Sequence, residues 1–322
     1  MLTPRENLIA FFKGQDYAWL PSRLDMLPFM PELICDNVAR GLVVQQRPYT
    51  GPLGGKDLLG VDWFFEESVG GSMEKAPLFN DIEDWEDYVH FPDLDALDWE
   101  GCARDNAEYL NTDKLVHTIL YTGFFERIIS FVGFENAAVA MIDEEQQDCI
   151  KAIFEKLTEF YIDLIGRMKR YFQVEMVVFH DDWGTQNSTL MSPETHREMV
   201  LPYVRRLVQA AHEMGVFMEQ HSCGKLDTLV PNIIQSGVDT WNGQDICDKP
   251  ALVARYGDRF CFGISVHAEE GPEDEELRAR VEAALDQWKG NRICLAVWGP
   301  LTPAQREMVR GLIRGRGRNG AL

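Results

Sequence analysis

The stretch Val216-Phe-Met-Glu-Gln-His-Ser-Cys-Gly224 carries residue types and a spacing suited to holding a metal. In an extended chain alternate side chains share a face, so Glu219, His221 and Cys223 project together. A thiolate and an imidazole two residues apart at a strand end are ready ligands for a borderline cation such as zinc. Gly224 then lets the backbone turn sharply. The plain alternative is a buried thiol beside a hydrogen-bonded histidine; Glu219, Gly224 and the surrounding pattern favour the metal. Later thiols offer a third ligand. Cys261 and Cys294 each lie on a later strand, and Cys247 lies just beyond Asn242-Gly-Gln244. Cys294 is on the final strand, though early in Ile293-Cys-Leu-Ala-Val.

A second constellation is Phe179-His-Asp-Asp-Trp-Gly-Thr-Gln186, directly after an apolar strand. Asp181 and Asp182 are adjacent, so in an extended chain they face opposite ways. The inward one is placed to act as a general acid or base, to accept from a polar ligand, or to support His221. Helix capping or a turn explains either one equally well. Asn242 and Gln244 follow the next strand and offer uncharged amides to a polar ligand; a turn is the competing reading. Glu126, in Gly123-Phe-Phe-Glu-Arg127, fits a helix start better than a place in the site.

The elements that must position these residues come next. Thr3-Pro4-Arg5-Glu6 opens a helix with a cap, a proline in the first turn and a capping glutamate. Residues 17–60 are rich in Pro and Gly, a strand is expected around Val61–Phe65, and residues 68–100 form a long excursion. From residue 114 the pattern is regular. Leu115–Tyr121 reads as a strand and residues 144–171 as an amphipathic helix, with Ile150, Ile153, Phe154, Leu157, Phe160, Tyr161 and Leu164 on one face. Strands are expected at 174–179, 216–220, 238–241, 259–264 and 292–297. Helices lie between most of them, including Pro272–Lys289, and a last helix is capped by Thr302. The tail from Arg314 reads as loose. Alternation of this kind means parallel strands joined by crossovers. No glycine-rich dinucleotide fingerprint or phosphate loop follows any strand. Polar groups at the ends of several strands suit a closed (β/α)8 barrel of the TIM type with an N-terminal helical and irregular extension. No domain boundary is evident, so residues 1–322 are expected to form one domain.

Composition bounds the partners. The 322 residues carry a formal net charge of -21, which argues against nucleic acid and against an anionic membrane surface. The N-terminus has no basic region followed by an apolar run, and no apolar run is long enough to cross a bilayer. Seven scattered cysteines suit a reducing, cytoplasmic setting.

The chain resembles the uroporphyrinogen decarboxylase superfamily, and within it the methyltransferases that work with corrinoid proteins. The resemblance rests on Gly123-Phe-Phe-Glu-Arg, Val132-Gly-Phe-Glu-Asn, Asp181-Asp-Trp-Gly-Thr-Gln with Ser192-Pro-Glu, His221-Ser-Cys-Gly-Lys, and Ile234-Gln-Ser-Gly-Val-Asp-Thr-Trp-Asn-Gly-Gln244. It implies a (β/α)8 barrel and a zinc site made by His221, Cys223 and a last-strand cysteine, for which Cys294 stands nearest. It further implies transfer of a methyl group between a small methyl donor or thiol and methylcobalamin on a separate corrinoid protein, as in anaerobic one-carbon metabolism. Asp181, Asp182 and Glu219 are then the expected catalytic groups, and Gln186, Asn242 and Gln244 the substrate-binding ones. Two departures stand out. The arginine-rich segment of true porphyrinogen decarboxylases is missing from residues 17–50. The turn after the last strand reads Val297-Trp-Gly-Pro300 where the methyltransferases place their cysteine, which leaves Glu219 or Cys261 as alternative third ligands. A metal-free lyase and a non-catalytic ligand-binding barrel are the competing functions.

Overall fold

The computed structural model describes residues 2–68, 70–268 and 274–317. They fall into two compact units, one drawn from residues 1–27, 112–115 and 239–322, the other from 28–111 and 116–238. Ten strands are present among the described residues: β1 Met26–Pro28, β2 Gly55–Lys56, β3 Asp62–Glu66, β4 Gly71–Glu74, β5 Leu115–Leu120, β6 Met176–His180, β7 Phe217–Ser222, β8 Thr240–Gly243, β9 Cys261–His267 and β10 Ile293–Trp298. Seven of them, β1 and β5 to β10, make a sheet whose order is the order of the sequence. The chain is therefore α/β with parallel strands and intervening helices; an eighth strand of that sheet is not found among the described residues.

In the unit containing residues 116–238, β5, β6 and β7 pair in parallel, with His117 opposite Met176 and His180 opposite His221. β6 is buried along its whole length, as expected of a parallel strand covered on both faces. Its cover includes the helix Gln147–Phe172, which buries Ile150, Ile153, Phe154, Leu157 and Tyr161. Phe124 packs 5.2 Å from Phe154 and 5.4 Å from Phe179, ring centre to ring centre. Each such ring contributes roughly 1.5–3 kcal/mol by burial, enough to fix the height of β6 against its helices. The helices Pro193–Met199 and Leu201–Glu213 meet at Val200, the break falling just before Pro202.

The segments around the expected strand and at the start of the 68–100 excursion are more ordered than their composition indicates. β2, β3 and β4 form an antiparallel sheet with Trp63 opposite Glu74 and Phe64 opposite Met73. Trp63 is buried and donates its indole N–H to Asp57 at 2.8 Å. Asp57 also receives the buried Arg127 guanidinium, which reaches Asp36 at 3.2 Å. This ion cluster ties residues 36–63 to the helix Phe124–Val132.

In the other unit β8, β9 and β10 pair in parallel, Thr240 opposite Cys261 and Cys294 opposite Gly263. Both expected capping boxes are present, Thr3 with Glu6 and Thr302 with Gln305. The helix expected from Pro272 is described from Asp274 to Gln287, and Pro272 itself lies outside the described residues. Residues 318–322 of the tail also lie outside them. No helix among the described residues is long and apolar enough to cross a membrane.

Candidate metal centre

β6 ends on His180 and β7 carries His221 directly opposite, so the parallel register stacks the two imidazoles 5.2 Å apart. Cys223 follows the last residue of β7. One ligand atom from each of His180, His221 and Cys223 lies within 4.8 Å of the others, a grouping of metal-binding residue types among the described residues. Two imidazoles and a thiol match the donor preference of zinc, and three protein ligands are the number that leaves a fourth position for a reacting group. The residues therefore fit the metal that the sequence implied.

The loop bearing Cys223 is held by backbone bonds rather than by bulk. Cys223 N–H donates to Asp182 Oδ1 at 2.8 Å, and Ser222 Oγ accepts from Trp183 N–H at 2.9 Å while donating to the Cys223 carbonyl. Lys225 N–H donates to the Thr185 carbonyl at 2.8 Å. Gly224 has φ +86°, and a Cβ there would lie 2.3 Å from the Gly184 carbonyl carbon. The loops after β6 and β7 thus touch backbone to backbone, which requires glycine on both sides.

His180 is 9% exposed and has acidic neighbours on both ring nitrogens. Nδ1 lies 3.0 Å from Glu126 Oε2, and Nε2 lies 3.6 Å from Asp182 Oδ1. A carboxylate only accepts, so Nδ1 carries a proton and Nε2 is left to face Cys223. Burial drives the His180 pKa down, but the Glu126 charge, with Cys223 and Asp182, outweighs it and raises the pKa well above the ordinary histidine value. The same field favours a cation of any kind at this point. Glu126 pairs its other oxygen with Arg40 at 2.7 Å. Burial raises the Glu126 carboxyl, yet Arg40 and His180 together hold it down at about 2.

Asp181 and Asp182 do face different ways. Asp181 is fully buried and accepts the N–H groups of Phe124, Phe125 and Glu126 at 2.9, 3.1 and 2.8 Å. It therefore anchors the first turn of the helix Phe124–Val132 and sets where Glu126 points. Gly123 is needed for this contact, because a Cβ there would come within 2.3 Å of Asp181 Cβ. Burial pushes the Asp181 carboxyl up to about 7, against the pull of those backbone N–H groups.

The remaining expected residues are placed as follows. Glu219 is buried on β7 opposite Val178, outside the His180–His221–Cys223 grouping. Gln186 sits at the exposed tip of the turn between Gly184 and Thr189. Asn242 lies on β8 against Gly263, and Gln244 opens the turn that leads to Cys247. Cys294 and Cys261 are buried at the starts of β10 and β9. Two further residues join the grouping or its support without a clear local signal in the sequence. His180 was hidden beside the Asp181-Asp182 pair, although it ends the strand before β7 and that position was the available signal. Glu126 stands in the first turn of its helix, as its sequence position predicts, but its side chain serves His180 and Arg40.

Three comparisons bear on identity. Over 91 residues, 28% of this chain and 23% of the relative, the sequence is 33% identical to a methylated-thiol--coenzyme M methyltransferase of Methanosarcina mazei. The matched stretch thus spans less than a quarter of that relative. A solved methyltransferase structure from Methanosarcina mazei superposes with a TM-score of 0.68 at 14% identity, covering 98% of this chain and 99% of that one, which shows a shared fold. An endo-1,4-beta-xylanase from Caldicellulosiruptor owensensis reaches a TM-score of only 0.39 at 12% identity, over 68% of this chain and 77% of that one, and carries no weight. Residues 57–262, well over half of the sequence and including every residue of the His180–His221–Cys223 grouping, match the uroporphyrinogen decarboxylase (URO-D) family, and the chain belongs to that family.

Proposed function

We propose that the protein is a zinc-dependent methyltransferase that moves a methyl group between a small methyl donor or thiol and a corrinoid protein, within a (β/α)8 barrel. The observation that carries this reading is the convergence of His180, His221 and Cys223 within 4.8 Å. Two supports stand beside it: the partial identity to a methylated-thiol methyltransferase and the fold shared with a methyltransferase structure. Zinc held by these three residues would keep a sulfur or oxygen anionic at neutral pH.

In this reading His180 replaces Cys294 as the third ligand, because Cys294 lies second in β10, at the start of its strand and buried. Glu126 keeps the His180 proton on Nδ1, and Asp182 holds the Cys223 backbone in place. Asp181 acts through the helix that carries Glu126. Asn242, Gln244 and Gln186 are assigned to polar groups of the methyl donor, and methylcobalamin arrives on its own carrier protein. A reducing cytoplasm suits the free thiol.

The test is elemental mass spectrometry on protein purified without a metal-affinity tag, followed by methyl transfer from a panel of thiol, methylamine and methoxy-aromatic donors. About one zinc per chain, lost in Cys223→Ala together with transfer, is the expected result. A wild type that takes up no zinc under reducing conditions would sink the proposal and favour a metal-free lyase.

A further inference from the structure

Glu126 has two oxygens and a partner on each. Oε2 meets His180 Nδ1 at 3.0 Å, and Oε1 meets Arg40 Nη2 at 2.7 Å. The second guanidinium nitrogen of Arg40, Nη1, donates to Thr122 Oγ1 at 2.9 Å. The guanidinium carbon also lies over two aromatic rings, 4.3 Å from the Trp63 ring centre and 5.4 Å from that of Tyr121. Arg40 is thus held by a fork and by two aromatic faces, with its side chain only 9% exposed.

We infer that Arg40 is a positioning residue for the metal centre: it clamps Glu126 in the one orientation that presents its free oxygen to His180, and so sets metal affinity without touching the metal. The inference rests on the metal reading above. The physical reason is that a buried carboxylate needs a charged, hydrogen-bonded partner to hold it in place. Without Arg40, Glu126 keeps only His180 as a side-chain partner and is free to turn. His180 then loses the acceptor that fixes its tautomer and ring angle. Arg is required because a single Lys nitrogen does not reproduce the planar fork to Glu126 and Thr122. The segment that supplies Arg40 is fixed independently, since Asp36, one turn earlier in the helix Cys35–Ala39, bonds Arg127, the neighbour of Glu126. Trp63 adds that β3 of the small antiparallel sheet reaches the metal centre through the same arginine.

Zinc affinity of the full chain, measured by competition with a chromophoric chelator, tests this on wild type, Arg40→Met, Arg40→Lys, Glu126→Ala and the Arg40→Met/Glu126→Ala double variant. Arg40→Met and Glu126→Ala should each weaken zinc binding by about 10- to 100-fold, the usual cost of losing a group that orients a ligand. In the Glu126→Ala background Arg40→Met should add less than about twofold, because its path to His180 is already cut. Cobalt substituted for zinc should show altered ligand-field bands in both single variants, a change that a loss of general stability does not produce. Wild-type affinity in Arg40→Met, or multiplying losses in the double variant, would overturn the inference and leave the metal reading standing. If Arg40→Met does not fold, Arg40→Lys decides: weakened zinc binding supports the fork, and wild-type binding refutes it. A wild type that binds no zinc removes both readings together.

Discussion

The region of β5 to β7 and the region of β8 to β10 hold the same residue types with opposite outcomes. In the first, an imidazole and a carboxylate meet in burial, the His180 and Glu126 side chains being 11% and 12% exposed. In the second, His267 and Asp245 meet at 2.9 Å with side chains 65% and 53% exposed. An exposed pair of this kind is worth about 0–1 kcal/mol, because water and salt screen it. The buried pair is felt at close to full strength, and it shifts both partners. The cysteines differ in the same way. Cys223 stands past the C-terminal end of its strand beside two histidines, whereas Cys261 and Cys294 are buried at the starts of theirs. Position along a parallel strand, more than residue type, decides whether a cysteine meets a histidine here.

The sharpest way to break that contrast is to exchange the histidine and the cysteine as targets. His180→Ala should abolish stoichiometric zinc, while Cys294→Ala should keep it and cost only about 1 kcal/mol of stability. Zinc retained in the first and lost in the second, by elemental analysis, would return the third ligand to β10. Next in size is the buried ion cluster. Arg127→Met strands Asp57 and Asp36 and should cost about 3–5 kcal/mol in urea unfolding. Glu276→Gln, which breaks an exposed pair with Arg280, should cost under about 0.5 kcal/mol. Equal losses would show that burial is not the deciding variable.

Smaller again is a glycine comparison. Gly224→Ala forces a Cβ against the Gly184 backbone at φ +86°, and should exceed the roughly 1–2 kcal/mol that a left-handed conformation alone costs. Gly215→Ala, at φ +71° with nothing within 4 Å of its Cβ, should show only that conformational cost. Matching melting points for the two variants would argue against close loop contact at the Cys223 turn.

A last effect is a pH slope. His196 is buried 4.4 Å from the Trp183 ring, with Asn232 beside its Nδ1 at 3.3 Å. Burial, helped by Arg197, lowers its pKa to about 3. Its folded pKa lies below the unfolded value near 6.5, so the unfolded chain binds the proton first as pH falls. Its contribution to stability is therefore intact above about pH 6.5 and shrinks by about 1.4 kcal/mol per pH unit down towards pH 3. His196→Gln should flatten that part of the profile in urea titrations between pH 7 and 4.5. An unchanged slope would mean that His196 is not held neutral.

Period and punctuation in the sequence determined a good deal. The two-residue period of β7 set His221 and Cys223 on one face with Gly224 to turn the chain, and the three- and four-residue recurrence from Ile150 marked the long helix. Thr3-Pro and Thr302-Pro carried their caps on local bonds. The alternation of strands and helices made the chain α/β, and the family motifs agreed with that. Only the tertiary structure decided who stands beside whom. His180 joins His221 because β6 and β7 pair in one register, set by packing such as Phe124 on Phe179 rather than by either strand. Glu126 and Arg40 are 86 residues apart, and nothing in either local pattern announces the other. Asp181 became an anchor because the turn after β5 brings three backbone N–H groups onto its carboxylate. Local order follows from rotamer, cap and period preferences that a short stretch contains in itself. Cross-strand register and buried charge pairing follow from which apolar faces pack, and that is a property of the folded whole.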